Sequence, residues 1–442
     1  MVHSTKCRFI ILLFLTIVGF RLTAKEKNST YNLSLEQCIE ILLNQNLTIK
    51  NQQISITQQQ FEVQNGIANS RPQVGADISF TDHYQVGSML LPGEEIPVSL
   101  GPNIQTLVTL HAEQSLFNKS SKTNIQLQRE RVKLTSTELD QIKEDLIYKT
   151  CILFYAVCST IEMQKVIDEQ NKIQTSIMEE TKIRILNGFS LETDLQQMQV
   201  ELLDIKSKNS SLHVEKTNLL NQLKSILNIN INDTVTLNNK HSQEVLSLKH
   251  EQLTSELKSV IKIQQQKRVD SISILHIKAM RYPKISLFAN YGAQNLSLDI
   301  NGLTSSPYWS DIGSVGIKLT IPIYTSGKTR NQITQRKLEY EKHQVQQVIS
   351  DVETAYSNAI AKFKASQTDI LLAKQKKILS KQVLDVSYQK YKQGKIVVND
   401  LLQSQEKLLE NNVIYTQKEF ELQTAKLEVL YYEGRITEIT QL

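Results

Sequence analysis

Few residues of this chain are spaced for chemistry, and the most suggestive sit in two related segments. Ile183 to Leu195 reads IRILNGFSLETDL, and Lys390 to Leu401 reads KYKQGKIVVNDL. In each, a Gly precedes an Asp-Leu pair by six residues: Gly188 before Asp194, and Gly394 before Asp400. A carboxylate placed just after a helix-ending Gly can cap the next helix and favour its positive end. If copies of the chain surround a pore, the same carboxylates form a ring that raises their pKa values and attracts cations. The two roles are compatible, and the residues alone leave both open.

The remaining candidates point away from catalysis. Ser326-Gly327-Lys328-Thr329 has the tail of a phosphate loop, but the position that needs the first Gly is Pro322, on an expected strand. The histidines show no HExxH or paired spacing, and His213 and His343 fall on expected helices as surface residues rather than ligands. Cys151 and Cys158 lie seven residues apart on an expected helix. That is about 10 Å along the axis, too far for a bridge. With Cys38 they read as small buried hydrophobes. There is no nucleophile elbow and no Gly-rich dinucleotide loop. The expectation is a protein that is not an enzyme, with no cofactor and no metal.

The elements that carry these segments are unusual. The chain has 442 residues with only 14 Gly and 7 Pro, a scarcity of breakers that favours long helices. The formal charge is +5, and Lys6, Arg8 and Arg21 account for three of those charges within residues 1–24. The remainder is close to neutral, without the basic excess of a nucleic-acid binder. Residues 1–24 read as a signal peptide: a short basic segment, the apolar run Phe9 to Phe20, and small residues Thr23 and Ala24. An uncleaved anchor is the alternative. Cys7 precedes the run and no cysteine follows it at the place of a lipid acceptor, so no lipid anchor is expected. No later stretch reads as a transmembrane helix, so the rest of the chain crosses a bilayer as strands or not at all.

Three landmarks recur in order. The two Gly-to-Asp segments are offset by 206, Leu116-Phe117 matches Ile323-Tyr324 at 207, and Arg71-Pro72 matches Tyr282-Pro283 at 211. Such self-similarity reads as a duplication. Each copy is expected to run helix, strand, loop, strand, very long helix, tight turn, helix. The strands are placed at about 72–84, 103–117, 283–292 and 314–324. In the first, Val74, Ala76, Ile78 and Phe80 alternate with polar residues. One apolar and one wet wall is the pattern of a transmembrane barrel, yet four strands cannot close one around a lumen unless several chains contribute. From Ser120 to Asn187, and from Lys328 to Gln393, there is neither Pro nor Gly. A helix of that length spans roughly 100 Å and must pack along its whole length. The first segment, Asn32 to Asn44, carries a capping signal at Ser34 and Gln37.

With LSLEQCIEILLNQN at its start, the paired Gly-x5-Asp-Leu segments and the ordered strands and long helices, the sequence resembles the TolC-like outer-membrane efflux protein family across about residues 31–435. The resemblance implies a mainly α fold with a transmembrane β part. It implies a trimer whose four strands per chain form a twelve-stranded barrel, continued by an α-helical periplasmic tunnel. The implied divisions are a signal peptide at 1–24, a first repeat at 25–228 with its hairpin at about 119–228, an equatorial connector at 229–250, and a second repeat at 251–442 with its hairpin at about 327–432. The implied function is a passive outer-membrane exit duct of a tripartite efflux or type I secretion system. Its implied partners are a homotrimer, a periplasmic adaptor, an inner-membrane pump and outer-membrane lipid, with no nucleic acid. By the same resemblance, Asp400 rings the pore, and Tyr391 bonds an acidic residue of the first hairpin, matched by Asp194. Gly188 and Gly394 turn the two tips. Two positions depart from the family pattern. A second pore acid is replaced by Gln403, and a locking basic residue by Ile396, with Lys395 beside it. The rival reading is a periplasmic coiled-coil adaptor or scaffold without its own pore, which leaves the apolar strand walls unexplained.

Overall fold

A computed structural model describes residues 30–90, 92–93, 95–99, 101–238, 257–304, 309–323 and 327–441. The expected signal peptide, Tyr324, Ser326 and residues 239–250 of the expected connector lie outside these. Two helices dominate: α3 (Lys119–Leu186) and α6 (Gly327–Lys392), of 68 and 66 residues. Neither contains an internal Pro or Gly, so nothing interrupts the backbone ladder. Each returns through a tight turn into a shorter antiparallel helix, α4 (Glu192–Leu227) after α3 and α7 (Val398–Tyr432) after α6.

The turns share one chemistry. Gly188 has φ +76° and Gly394 φ +70°. The amide of Phe189 donates to the Arg184 carbonyl, and that of Lys395 to the Lys390 carbonyl, in the same six-residue closure. A Cβ at Gly188 would meet nothing within 4 Å, so backbone conformation rather than space selects glycine there.

At the far end of the long helices lies a four-stranded antiparallel sheet in the order β2-β5-β7-β8, formed by β2 (Gln73–Asp82), β5 (Ile104–Asn118), β7 (Lys284–Ser297) and β8 (Trp309–Thr320). Between β2 and β5, β3 (Ser88–Met89) and β4 (Val98–Ser99) make a short hairpin absent from the sequence reading. The register puts Val74, Ile78, Val108, Leu110, Leu287, Tyr291, Val315 and Ile317 on one face. Val74, Ile78, Leu110, Tyr291, Val315 and Ile317 are all more than half exposed. The opposite face carries Asp77, Thr109, His111, Asn290, Ser314 and Lys318. There the Gly75 backbone lies against the His111 ring, and His111 Nδ1 pairs with Asp77 at 2.9 Å. β7 extends past its expected end at Gly292. A Cβ at that position would lie 2.0 Å from the Val108 carbonyl, so the glycine permits a close strand approach instead of ending the strand.

The helices attached to the sheet follow the strand order. α2 (Leu47–Ala68) leads into β2, β5 runs directly into α3, α5 (Lys258–Ala279) leads into β7, and β8 precedes α6. Asn118 caps α3 by accepting from Ser121 N at 3.0 Å, which lets strand pass into helix without a loop. Midway along the bundle, α1 (Leu35–Gln45) is held by the expected capping box. Ser34 Oγ accepts from Gln37 N, and Gln37 Oε1 accepts from Ser34 N at 2.9 Å. Within the expected connector lies β6 (Thr234–Leu237), parallel to β1 (Thr30–Leu33). Around them lies the largest core, where Cys38, Ile39, Leu42, Cys151, Phe154 and Leu227 are fully buried. All three described cysteines are free and buried. The sequence reading found no transmembrane-helix candidate beyond the first residues. α3 does contain a window long and apolar enough by length and composition. Residues 151–158 supply apolar side chains to this core, which accounts for apolarity in that part of the helix.

Between α5 and α6 two carboxyls are buried together. Asp270 and Glu341 are each about 5% exposed, and Lys337 pairs with Asp270. Gln266 Nε2 also donates to Asp270 at 2.6 Å. Burial and the adjacent Asp270 push Glu341 up to about 8. Burial opposes ionisation of Asp270 as well, but the bonds it accepts from Lys337 and Gln266 help hold it below the usual carboxylate range. One proton therefore stays on Glu341 while Asp270 carries the charge.

Candidate functional site: the hairpin tips

The two tips meet side by side, and the residues joining them sit about one repeat offset apart. Tyr391, 2% exposed, points from the last turn of α6 into the first hairpin. Its hydroxyl lies 2.9 Å from Thr181 Oγ1, whose own hydrogen goes to the Ile177 carbonyl, so Tyr391 is the donor. Arg184 Nη1 donates to the carbonyls of Tyr391 at 2.8 Å and Lys392 at 2.9 Å, and its guanidinium lies 4.6 Å from the Tyr391 ring centroid. These carbonyls end α6 and lack a full set of helical partners, so a cation from the neighbouring helix both caps them and meets the negative helix end. One turn earlier, Tyr388 Oη donates to Glu180 Oε2 at 2.6 Å. Burial and that bond raise the Tyr388 pKa. Lys392 Nζ lies 3.7 Å from Glu180 and 4.5 Å above the Tyr388 ring. Its pKa is raised by Tyr388 and Glu180.

Around this clamp the tips enclose a cavity of about 530 Å³, lined by Gly188, Asp194, Tyr391, Gly394, Lys395 and Asp400 among others. Asp400 and Lys395 are exposed on its rim. Gln403 is exposed one turn further along α7 and does not line it. The expected bond between Tyr391 and Asp194 is not made. Asp194 Oδ2 accepts from Leu191 N at 3.0 Å, capping its own helix, while Tyr391 is satisfied by Thr181. A carboxylate three residues from an open amide meets it at little entropic cost, so the local partner prevails over the distant one.

Arg184, Thr181, Glu180 and Tyr388 were not singled out from the sequence. A usable signal existed: Arg184 and Tyr391 are 207 residues apart and Glu180 and Tyr388 are 208 apart, the same interval as the repeat. Residues at one repeat offset lie at equal height on adjacent hairpins.

The family model for outer membrane efflux proteins matches residues 265–430. The chain is 21% identical to the outer membrane protein TolC of Vibrio cholerae serotype O1 over 403 residues, 88% of each chain. By these matches the chain is similar to TolC-like outer membrane efflux proteins. Solved structures agree in fold. VceC from Vibrio cholerae superposes with a TM-score of 0.73 at 14% identity, covering 90% of this chain and 96% of that one. The open-state MtrE outer membrane channel of Neisseria gonorrhoeae gives 0.71 at 14% identity, covering 90% and 88%. Outer membrane efflux proteins are transport ducts rather than enzymes. The relatives this chain matches are named as outer membrane proteins and channels.

Proposed function

We propose that three copies of this chain join their sheets edge to edge into one twelve-stranded barrel in the outer membrane, and that their helices continue it as a periplasmic tunnel. The assembly is the passive exit duct of a tripartite efflux or type I secretion system, fed by an inner-membrane pump through a periplasmic adaptor. The observation that carries this reading is the sheet: one continuous exposed apolar face, one mainly polar face, and outer strands β2 and β8 that, among the described residues, each pair on one side only. Such edges invite pairing with another chain. A poreless scaffold has no use for that apolar wall. We read 25–228 and 251–442 as duplicated halves joined by the connector at 229–250.

At the tips, the Arg184 and Tyr391 clamp holds the two hairpins of one protomer together. The exposed Asp400 faces the axis as one of three carboxylates, and Gly188 and Gly394 set the turns. In this reading Asp194 serves as a cap, and Lys395 and Gln403 line the approach without closing it. The test is block of the channel by a multivalent cation in Asp400→Asn. Loss of block with unchanged trimer size is the expected result. Block equal to that of the parent protein would remove Asp400 from the constriction.

A further inference from the structure

Away from the tips, the carboxyl pair between α5 and α6 is buried but incompletely bonded. Asp270 and Glu341 both face Lys337, whose Nζ pairs with Asp270 and lies 3.9 Å from Glu341 Oε1. That separation is too long for a hydrogen bond. Glu341 is only 5% exposed, yet neither of its oxygens has a hydrogen-bond partner among the described residues. Buried polar atoms nearly always find a partner, and an exception calls for a water or an ion. The proton held on Glu341 occupies one of its oxygens and leaves the other bare.

Lys337 is a loose occupant of the space between the two acids. Its side chain is 56% exposed, against 5% for Asp270 and 6% for Glu341. The ammonium therefore reaches in from solvent and leaves by turning outward. Gln266 closes the other side, where Nε2 donates to Asp270 Oδ2 at 2.6 Å. A half-turn of that amide presents Oε1 in place of Nε2. Two carboxylates and an amide oxygen then face one position that already attracts positive charge.

The geometry points to a calcium site between α5 and α6, in which Ca²⁺ replaces the Lys337 ammonium and the proton on Glu341. Glu341, Asp270 and Gln266 Oε1 hold the ion, and water completes its shell. The exchange keeps the buried group neutral: one proton and one ammonium leave as one divalent cation enters. Burying a net charge is costly, so a neutral exchange is the one the site tolerates. The donors are all oxygens, which favours a hard cation over a transition metal. Ca²⁺ accepts the irregular set of carboxylate and carbonyl oxygens that Mg²⁺, with its strict octahedron, does not. The ion ties α5, which leads into β7, to α6, which follows β8. The same helices also meet in an apolar cluster through Val260 and Val352. Every ligand comes from one copy, so the site stands or falls apart from the trimer.

The test uses full-length protein purified from the outer membrane, stripped with a chelator and titrated with CaCl₂ at neutral pH and constant ionic strength. The parent is expected to bind one more Ca²⁺ per chain than Glu341→Gln, with a Kd of about 10⁻⁴–10⁻³ M, the range of weak extracellular calcium modules. Lys337→Met lacks the competing ammonium and should bind about tenfold more tightly. Ca²⁺ should also restore the thermal midpoint that this substitution lowers, because an ion bound only by the folded state stabilises it. Equal uptake by the parent and Glu341→Gln would overturn the site and assign any bound Ca²⁺ to another part of the molecule. A Lys337→Met midpoint that rises no more with Ca²⁺ than that of Glu341→Gln would also overturn it, leaving a closed ion pair with one proton. If Lys337→Met does not fold, the difference in uptake between the parent and Glu341→Gln decides alone.

Discussion

Replacing Arg184 by methionine removes the strongest link between the two hairpin tips while keeping the length of the side chain. The wild-type guanidinium makes two charge-assisted bonds, at 2.8 and 2.9 Å, to carbonyls at the end of α6, and stacks on Tyr391. Bonds to a charged group contribute about 1.5–3 kcal/mol each. Arg184 is only partly buried, so we discount the pair to about 2 kcal/mol per protomer. If opening separates the hairpins in all three copies together, the variant shifts the closed-to-open balance by about 6 kcal/mol, enough to take a nearly closed population to a nearly open one. Single-channel recording in planar bilayers should then show larger and longer openings in Arg184→Met, at unchanged trimer size. Tyr391→Phe removes one buried neutral bond, worth about 1 kcal/mol per protomer, and should give a smaller change in the same direction. Equal conductance and open times in Arg184→Met and the parent would refute the clamp.

Other consequences are local. Glu341 is pushed up to about 8, so its stabilising contribution is complete below its unfolded value near 4.5 and is lost as pH rises through 8. The thermal midpoint should fall from about pH 4.5 to 8 and level off above, and Glu341→Gln should flatten that fall; an unchanged slope would contradict the proton held on Glu341. Asp270, held low, acts in the opposite window and loses its contribution in acid. Phe154→Ala empties a fully buried site in the main core. It should cost about 3–5 kcal/mol, read as a large drop in thermal midpoint or in trimer yield. Gly394→Ala forces a side chain to φ +70°, costing about 1–2 kcal/mol. Its Cβ would lie 3.8 Å from Arg184 Nη2, so a lowered midpoint with intact conductance is expected.

Much of the architecture was legible because it rests on local rules. Gly188 and Gly394 marked helix ends because only a left-handed residue closes those turns, and Ser34 with Gln37 announced α1 through a bond between neighbours. The alternation from Val74 to Phe80 revealed a wall that is exposed in the single chain. What escaped depends on distant partners. β7 continues past Gly292 because β5 pairs with it, a fact absent from its own pattern. Arg184 looks like any polar residue of a long helix until α6 ends beside it. Tyr391 meets Thr181 rather than the expected Asp194, since Asp194 has a nearer amide to cap.

The most direct test is single-channel recording from the purified protein in planar bilayers. Discrete, uniform channels should appear only with the trimer and show block by multivalent cations dependent on Asp400. A folded trimer extracted from the outer membrane that conducts no ions, even with Arg184→Met releasing its tips, would contradict the assignment of an exit duct.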